Sequence, residues 1–140
     1  MICTVASLDH LVLTVRSIPA TIAFYQRLGM RHETFSPPLT PTLVRHALLF
    51  GPSKINLHES GNEFEPKAAN VMPGSADICL LVNEDVEVVR ENLVKEGVEV
   101  LEGGGVVPRT GARGKIRSVY VRDPDGNLVE LSNYAGQAAA

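Results

Sequence analysis

Apolar residues recur along this chain in two rhythms, and each rhythm occurs twice. Residues 8–16, LDHLVLTVR, alternate in the period-two manner of a half-buried strand. Ser17 suits a helix N-cap, and Pro19 suits a first helical turn, where its missing N–H costs nothing. Ile18, Ile22, Tyr25 and Leu28 then follow at helical spacing, and Gly29 stands where a left-handed C-terminal residue belongs. Strands are expected at 30–35, 43–50 and 54–59, with a Pro-rich turn at 36–41. The second half runs in the same order. Residues 77–82 (DICLLV) predict a strand, Asp85 caps a helix with Val86, Val89 and Leu93 on one face, and Gly97 ends it. Strands follow at 98–101, 116–122 and 127–133, the last two joined by an Asp123-Pro124-Asp125-Gly126 turn.

The registers of the halves agree. The spacing from His10 to Asp77 equals that from Gly29 to Gly97 to within one residue. Ile55-Asn56-Leu57 matches Val129-Glu130-Leu131 after a few further positions, which a glycine-rich loop at 103–115 absorbs. The expected class is therefore α+β, with two β-α-β-β-β modules in one domain over 1–140. Module one covers about 7–60, a linker 61–74, and module two about 75–135, leaving 136–140 as a frayed tail.

Strand parity sorts the side chains. Leu11, Leu13, Val15, Ile55 and Leu57 go to the helix side of module one, as Ile78, Leu80, Val82, Val129 and Leu131 do in module two. The opposite faces collect His10, Asn56, His58, Asp77 and Glu130. Taken singly, each has an ordinary role: a surface imidazole, a loop-holding amide, a solvated carboxylate. Their matched positions in both modules point to a shared purpose, since polar groups on such a face call for partners. Imidazole with carboxylate suits a divalent ion such as Zn²⁺, Ni²⁺, Mn²⁺ or Fe²⁺.

Composition narrows the classes. In 140 residues, 13 Lys and Arg against 16 Asp and Glu give a net charge of −3, which argues against nucleic acid or an anionic membrane as the main partner. No apolar run approaches a bilayer span, and two cysteines, Cys3 and Cys79, form no disulfide framework, so a cytoplasmic protein is expected. Cys79 is expected to be a small buried thiol. Arg109, Arg113, Lys115 and Arg117 lie in or beside the glycine-rich loop, where they are either a clamp for a substrate carboxylate or phosphate or a solvated loop.

The DHLVL at 9–13, FYQRLGM at 24–30 and DPDGNLVEL at 123–131 resemble the vicinal oxygen chelate superfamily, which includes glyoxalase I, extradiol dioxygenases and bleomycin resistance proteins. The segments INLHE (55–59), EFEPKAA (63–69), ADICL (76–80), PRTGARG (108–114) and ELSNY (130–134) are most similar to glyoxalase domain-containing protein 5 and its bacterial relatives. The resemblance implies a cupped mixed sheet with helices outside, enclosing a divalent metal. It carries the ligand positions onto His10, Asn56, Asp77 and Glu130. Asn56 stands where glyoxalase I has Glu, and Asp77 where His is usual. His58, on the same face, is taken to replace Asn56, giving a His10, His58 and Glu130 metal set. Glu130 and Asp77 are then the catalytic candidates, with Asn56, Arg109 and Arg113 contacting substrate. The implied activity is a metal-dependent lyase or isomerase on a small oxygenated molecule, working as a homodimer. The alternatives are an extradiol-type dioxygenase and a metal-free binding protein of the bleomycin-resistance kind.

Overall fold

A computed structural model describes residues 1–136; the tail expected to fray lies, from residue 137, outside them. The chain divides into two compact units, one ending at Gly74 and one starting at Ser75. Both are β-α-β-β-β modules, so the fold is α+β.

In the first unit, β1 (His10–Val15) leads into α1 (Ile18–Arg27), then β2 (Arg31–Phe35), β3 (Arg45–Phe50) and β4 (Ser53–Glu59). The sheet order is β1-β4-β3-β2, with β1 parallel to β4 and the other pairs antiparallel. Ser17 caps α1 by accepting the Ala20 N–H at 3.2 Å, and Pro19 lies in its first turn. Gly29 takes φ +89°, the left-handed geometry that closes a helix at little cost to glycine. The buried stripe of α1 is centred on Thr21 and Tyr25, with Ile18, Ile22 and Leu28 at its margins. It packs over Leu13, Val15, Leu48, Ile55 and Leu57, all buried on one side of the sheet. His32 and His46 stack at 5.1 Å and share a ring hydrogen bond of 2.9 Å.

The second unit has β5 (Asp77–Leu81), α2 (Val86–Lys95), β6 (Val107–Gly111), β7 (Gly114–Arg122) and β8 (Leu128–Tyr134), ordered β5-β8-β7-β6. Val86 and Leu93 of α2 cover Val119, Val121, Val129 and Leu131. Residues 98–101, expected as a strand, are irregular. The edge position beside β7 is filled instead by β6, which lies inside the expected glycine-rich loop. Gly103 and Gly104, at φ +73° and +79°, reverse the chain so that Val107 reaches its register opposite Ser118. Strand propensity at 98–101 yields to this hairpin, which satisfies the edge of β7.

Two asparagines tie this unit together. Asn127 donates to Asp123 Oδ2 at 2.7 Å and accepts the Ala76 N–H at 2.8 Å, joining the β7–β8 turn to the start of β5. Asp123 Oδ1 accepts the backbone N–H groups of Asp125 and Asn127. Asn133 accepts the Val86 N–H at 2.7 Å at the head of α2, where Asp85 also accepts from Glu87. No helix among the described residues is long and apolar enough to cross a membrane.

Asn127 is 1% exposed, and Asn127→Ala removes both its donor to Asp123 Oδ2 and the acceptor of the Ala76 N–H. We expect a loss of about 2 kcal/mol or more in urea unfolding, with the slope unchanged. His46 is held below the ordinary imidazole value, first by burial and then by the charge of His32. The unfolded chain therefore takes up a proton near pH 6.5 that the folded chain resists, and stability falls as pH drops from there toward the lowered value. The urea midpoint should be lower at about pH 5.5 than at about pH 7.5, and His46→Gln should shrink the difference.

Candidate functional site

The face of each sheet turned away from its helix carries the polar residues. In the first unit β1 and β4 run parallel, with Val12 opposite Asn56 and Thr14 opposite His58. His10 lies two residues before Val12, so it is the diagonal neighbour of Asn56, about 8 Å away by strand spacing and rise. In the second unit Cys79 is opposite Glu130, and Asp77 lies two residues before Cys79. The diagonal is the same: His10 to Asn56, and Asp77 to Glu130.

His10 is oriented by its neighbour. Its Nδ1–H donates to Asp9 Oδ2 at 2.7 Å, which leaves the Nε2 lone pair of the neutral ring available. A carboxylate on the far nitrogen is the usual orienting partner of a metal-binding imidazole. Asn56 is 5% exposed, and its Oδ1 is buried with no hydrogen-bond partner. An orphaned buried oxygen costs free energy unless a donor, a water or a cation meets it. The His10–Asn56 pair therefore fits a divalent cation in donor type, and so do the carboxylates of Asp77 and Glu130.

His58 lies farther along the same face. Four residues separate it from His10 in register, about 13 Å along the strands, where two adjacent ligands of one ion lie far closer. Arg45 on β3 donates from Nη2 to His58 Nε2 at 2.9 Å, so the lone pair a metal would need is committed. The guanidinium sits 5.1 Å from the Phe35 ring and 4.9 Å from the Phe64 ring. Burial and then the Arg45 charge push His58 below the ordinary imidazole value. His58 thus belongs to an arginine–aromatic cluster. Beside it is a cavity of about 420 Å³ lined by Val12, Thr14, His58, Pro66, Lys67, Ala68 and Val71. Among the described residues no three His, Cys, Asp or Glu side chains gather as a metal-binding group.

Glu130 is held by hydroxyls. Ser118 donates to its Oε2 at 2.5 Å, and the Ser118 and Ser132 hydroxyls lie 2.7 Å apart. Tyr120 also bonds to Glu130; burial and that bond raise the phenol above its ordinary value. Cys79, expected to be buried, is exposed, with its Sγ 3.4 Å from Ser132 Oγ. Partial desolvation raises its thiol, and the Ser132 contact opposes the rise. Asp77 is exposed at the start of β5.

Both loop arginines lie against tyrosine rings. Arg109 lies on β6, donates from Nε to the Tyr120 hydroxyl at 3.0 Å and covers that ring. Arg113, in the β6–β7 turn, lies 4.4 Å over the Tyr134 ring. Arg117 faces the helix side, 3.3 Å from Glu87. Arg109 thus reaches Glu130 through Tyr120. The residues missed in the sequence are Arg45, Phe35 and Phe64 around His58, and Ser118, Ser132 and Tyr120 around Glu130. Parity had placed only Ser132 beside Glu130; the pairing of Arg45 with His58, and of Ser118 and Tyr120 with Glu130, depends on the register between neighbouring strands.

Comparison with known proteins bears on the whole arrangement. A glyoxalase domain-containing protein, RDO1 of Mycosarcoma maydis, is 49% identical over 131 residues, covering 94% of this chain and 70% of that protein. The virulence protein STM3117 of Salmonella typhimurium is 48% identical over 128 residues, 91% of this chain and 83% of that protein. A protein from the mobile metagenome of V. Pseudocholerae, of known structure, is 48% identical, covers 97% of this chain and 100% of its own, and superposes with a TM-score of 0.87. Lactoylglutathione lyase from Agrobacterium tumefaciens, at 18% identity and a TM-score of 0.63 over 92% of this chain and 94% of its own, shares the fold. The family model described as Glyoxalase/Bleomycin resistance protein/Dioxygenase superfamily matches residues 7–131, and with both modules and their polar faces in place, the chain belongs to that superfamily.

Proposed function

We propose that this chain is a metal-dependent enzyme of the vicinal oxygen chelate type, acting as a lyase or isomerase on a small oxygenated molecule. The observation that carries the reading is the diagonal pair repeated in both units, His10 with the orphaned Asn56 Oδ1, and Asp77 with Glu130. In this reading His10 and Glu130 are metal ligands, Asn56 offers a neutral oxygen to metal or substrate, and Asp77 is a further ligand or a base. The ion is Zn²⁺, Ni²⁺, Mn²⁺ or Fe²⁺, and when bound it supplies Lewis acidity to neighbouring substrate oxygens. Glu130, steadied by Ser118 and Tyr120, moves the proton between substrate carbon and its own carboxylate oxygen. Arg109 acts on this group through Tyr120, and Arg113 flanks it as a substrate contact. The working form is a cytoplasmic homodimer, a reading supported by the exposed apolar surface of Val12 and Leu81 and by two free cysteines.

A second reading, a metal-free binding protein, is favoured by one observation: Arg45 occupies the His58 nitrogen beside a ready-made cavity. Metal content decides between them. Elemental mass spectrometry of protein purified without an affinity tag should find close to one ion per chain. His10→Ala and Glu130→Gln should each weaken retention by about tenfold or more. A wild type that refuses all four ions, or variants that retain metal as well as it does, sinks the enzyme reading.

The reaction class has its own test. Metal-loaded protein should exchange the C–H beside the carbonyl of enolisable hydroxyketones or hydroxy acids with deuterium from D₂O. Glu130→Gln should slow that exchange by about a hundredfold or more. Consumption of O₂ with a catechol, without C–H exchange, selects the dioxygenase instead.

A further inference from the structure

The cavity beside His58 has a chemistry of its own, set by a residue that does not line it. Arginine has no lone pair to offer and stays protonated in proteins, so in the 2.9 Å Arg45–His58 contact the guanidinium must donate and His58 Nε2 must accept. A neutral imidazole carries one proton, and here that proton is forced onto Nδ1. The tautomer lasts as long as Arg45 holds that contact. His58 therefore presents an N–H, and the other polar groups on the cavity wall, the Thr14 hydroxyl and the Lys67 ammonium, are donors too. The rest of the wall is apolar: Val12, Pro66, Ala68 and Val71.

Lys67 has carboxylates nearby but not in hydrogen-bonding contact. Glu63 Oε1 is 3.8 Å from its Nζ and Glu65 Oε1 is 3.9 Å away. At these distances they balance part of its charge and leave its N–H bonds unsaturated. The Glu63 carboxylate is itself tied down by backbone N–H groups of Gly61 and Glu63, which lower its pKa and hold it back from the ammonium.

We propose that this cavity binds a small carboxylate, seated on the Lys67 ammonium, the Thr14 hydroxyl and the His58 Nδ1–H, with a short hydrocarbon chain against Val12, Pro66 and Val71. Arg45 is its positioning residue, fixing the His58 tautomer from outside. The proposal deepens the functional reading by naming the substrate class for the same sheet face: a carboxylate at the His58 end and the reacting oxygens toward His10. Its test is independent of metal.

Butanoate and its neutral isostere butanamide are titrated into metal-stripped wild type and His10→Ala by calorimetry and ¹⁵N NMR. Butanoate should bind both proteins alike, and about tenfold or more tighter than butanamide. Lys67→Met, a change at a part-exposed side chain, should remove that preference, and Glu63→Gln should tighten butanoate binding by removing the competing anion. The ¹⁵N spectrum of His58 should show the Nδ1-protonated ring in wild type, and Arg45→Met should release it. Equal binding of acid and amide, an indifferent Lys67→Met, or an Nε2-protonated His58 in wild type each overturns the proposal. Failure of metal binding in the earlier experiment leaves these outcomes unaltered, so the two readings fall separately.

Discussion

The parallel pairing of the first and last strands of each module is the constraint from which the rest follows. β1 lies beside β4, and β5 beside β8, although each pair is joined through a helix and two intervening strands. Parallel neighbours in one sheet require a crossover, and the helix that makes it covers one face. The uncovered face is then free to carry polar groups. The register sets the first residue of the first strand on a diagonal to the middle of the last, His10 to Asn56 and Asp77 to Glu130. A slip of one residue in one of these ladders would turn one member of that module's pair toward the helix.

The two uncovered faces have diverged in how they treat their central polar residue. Glu130 is an anion embedded in hydroxyl donors: Ser118 gives it a short hydrogen bond, Ser132 backs Ser118, and Tyr120 approaches from the same strand as Ser118. That arrangement holds a carboxylate in place without neutralising its charge. The equivalent position in the first unit is Asn56, a neutral amide whose oxygen is buried and unpartnered. Two residues on, His58 is kept neutral by burial and by a guanidinium lodged between two phenylalanine rings. One unit thus presents negative charge and the other presents donors.

The sequence by itself determined the elements and the repeat. Period-two runs, the Ser17 and Asp85 caps, and Gly29 and Gly97 at the helix ends are local features, decided within a few residues by backbone and side-chain geometry. Parity, also local, put His10, Asn56, Asp77 and Glu130 on the uncovered faces. Only the tertiary structure decided what each polar group touches. Parity and chemistry marked His58 as a polar group of that face, and Arg45, 13 residues earlier, reaches its nitrogen across the β3–β4 ladder. Residues 98–101 had the composition of a strand, but the edge of β7 went to β6, because a hairpin with a short turn forms its ladder with little loop closure. Arg109 and Arg113, read from the sequence as a clamp or a solvated loop, are laid over the rings of Tyr120 and Tyr134. These partners are set by register and side-chain reach between neighbouring strands, and no periodicity within a single strand encodes that register.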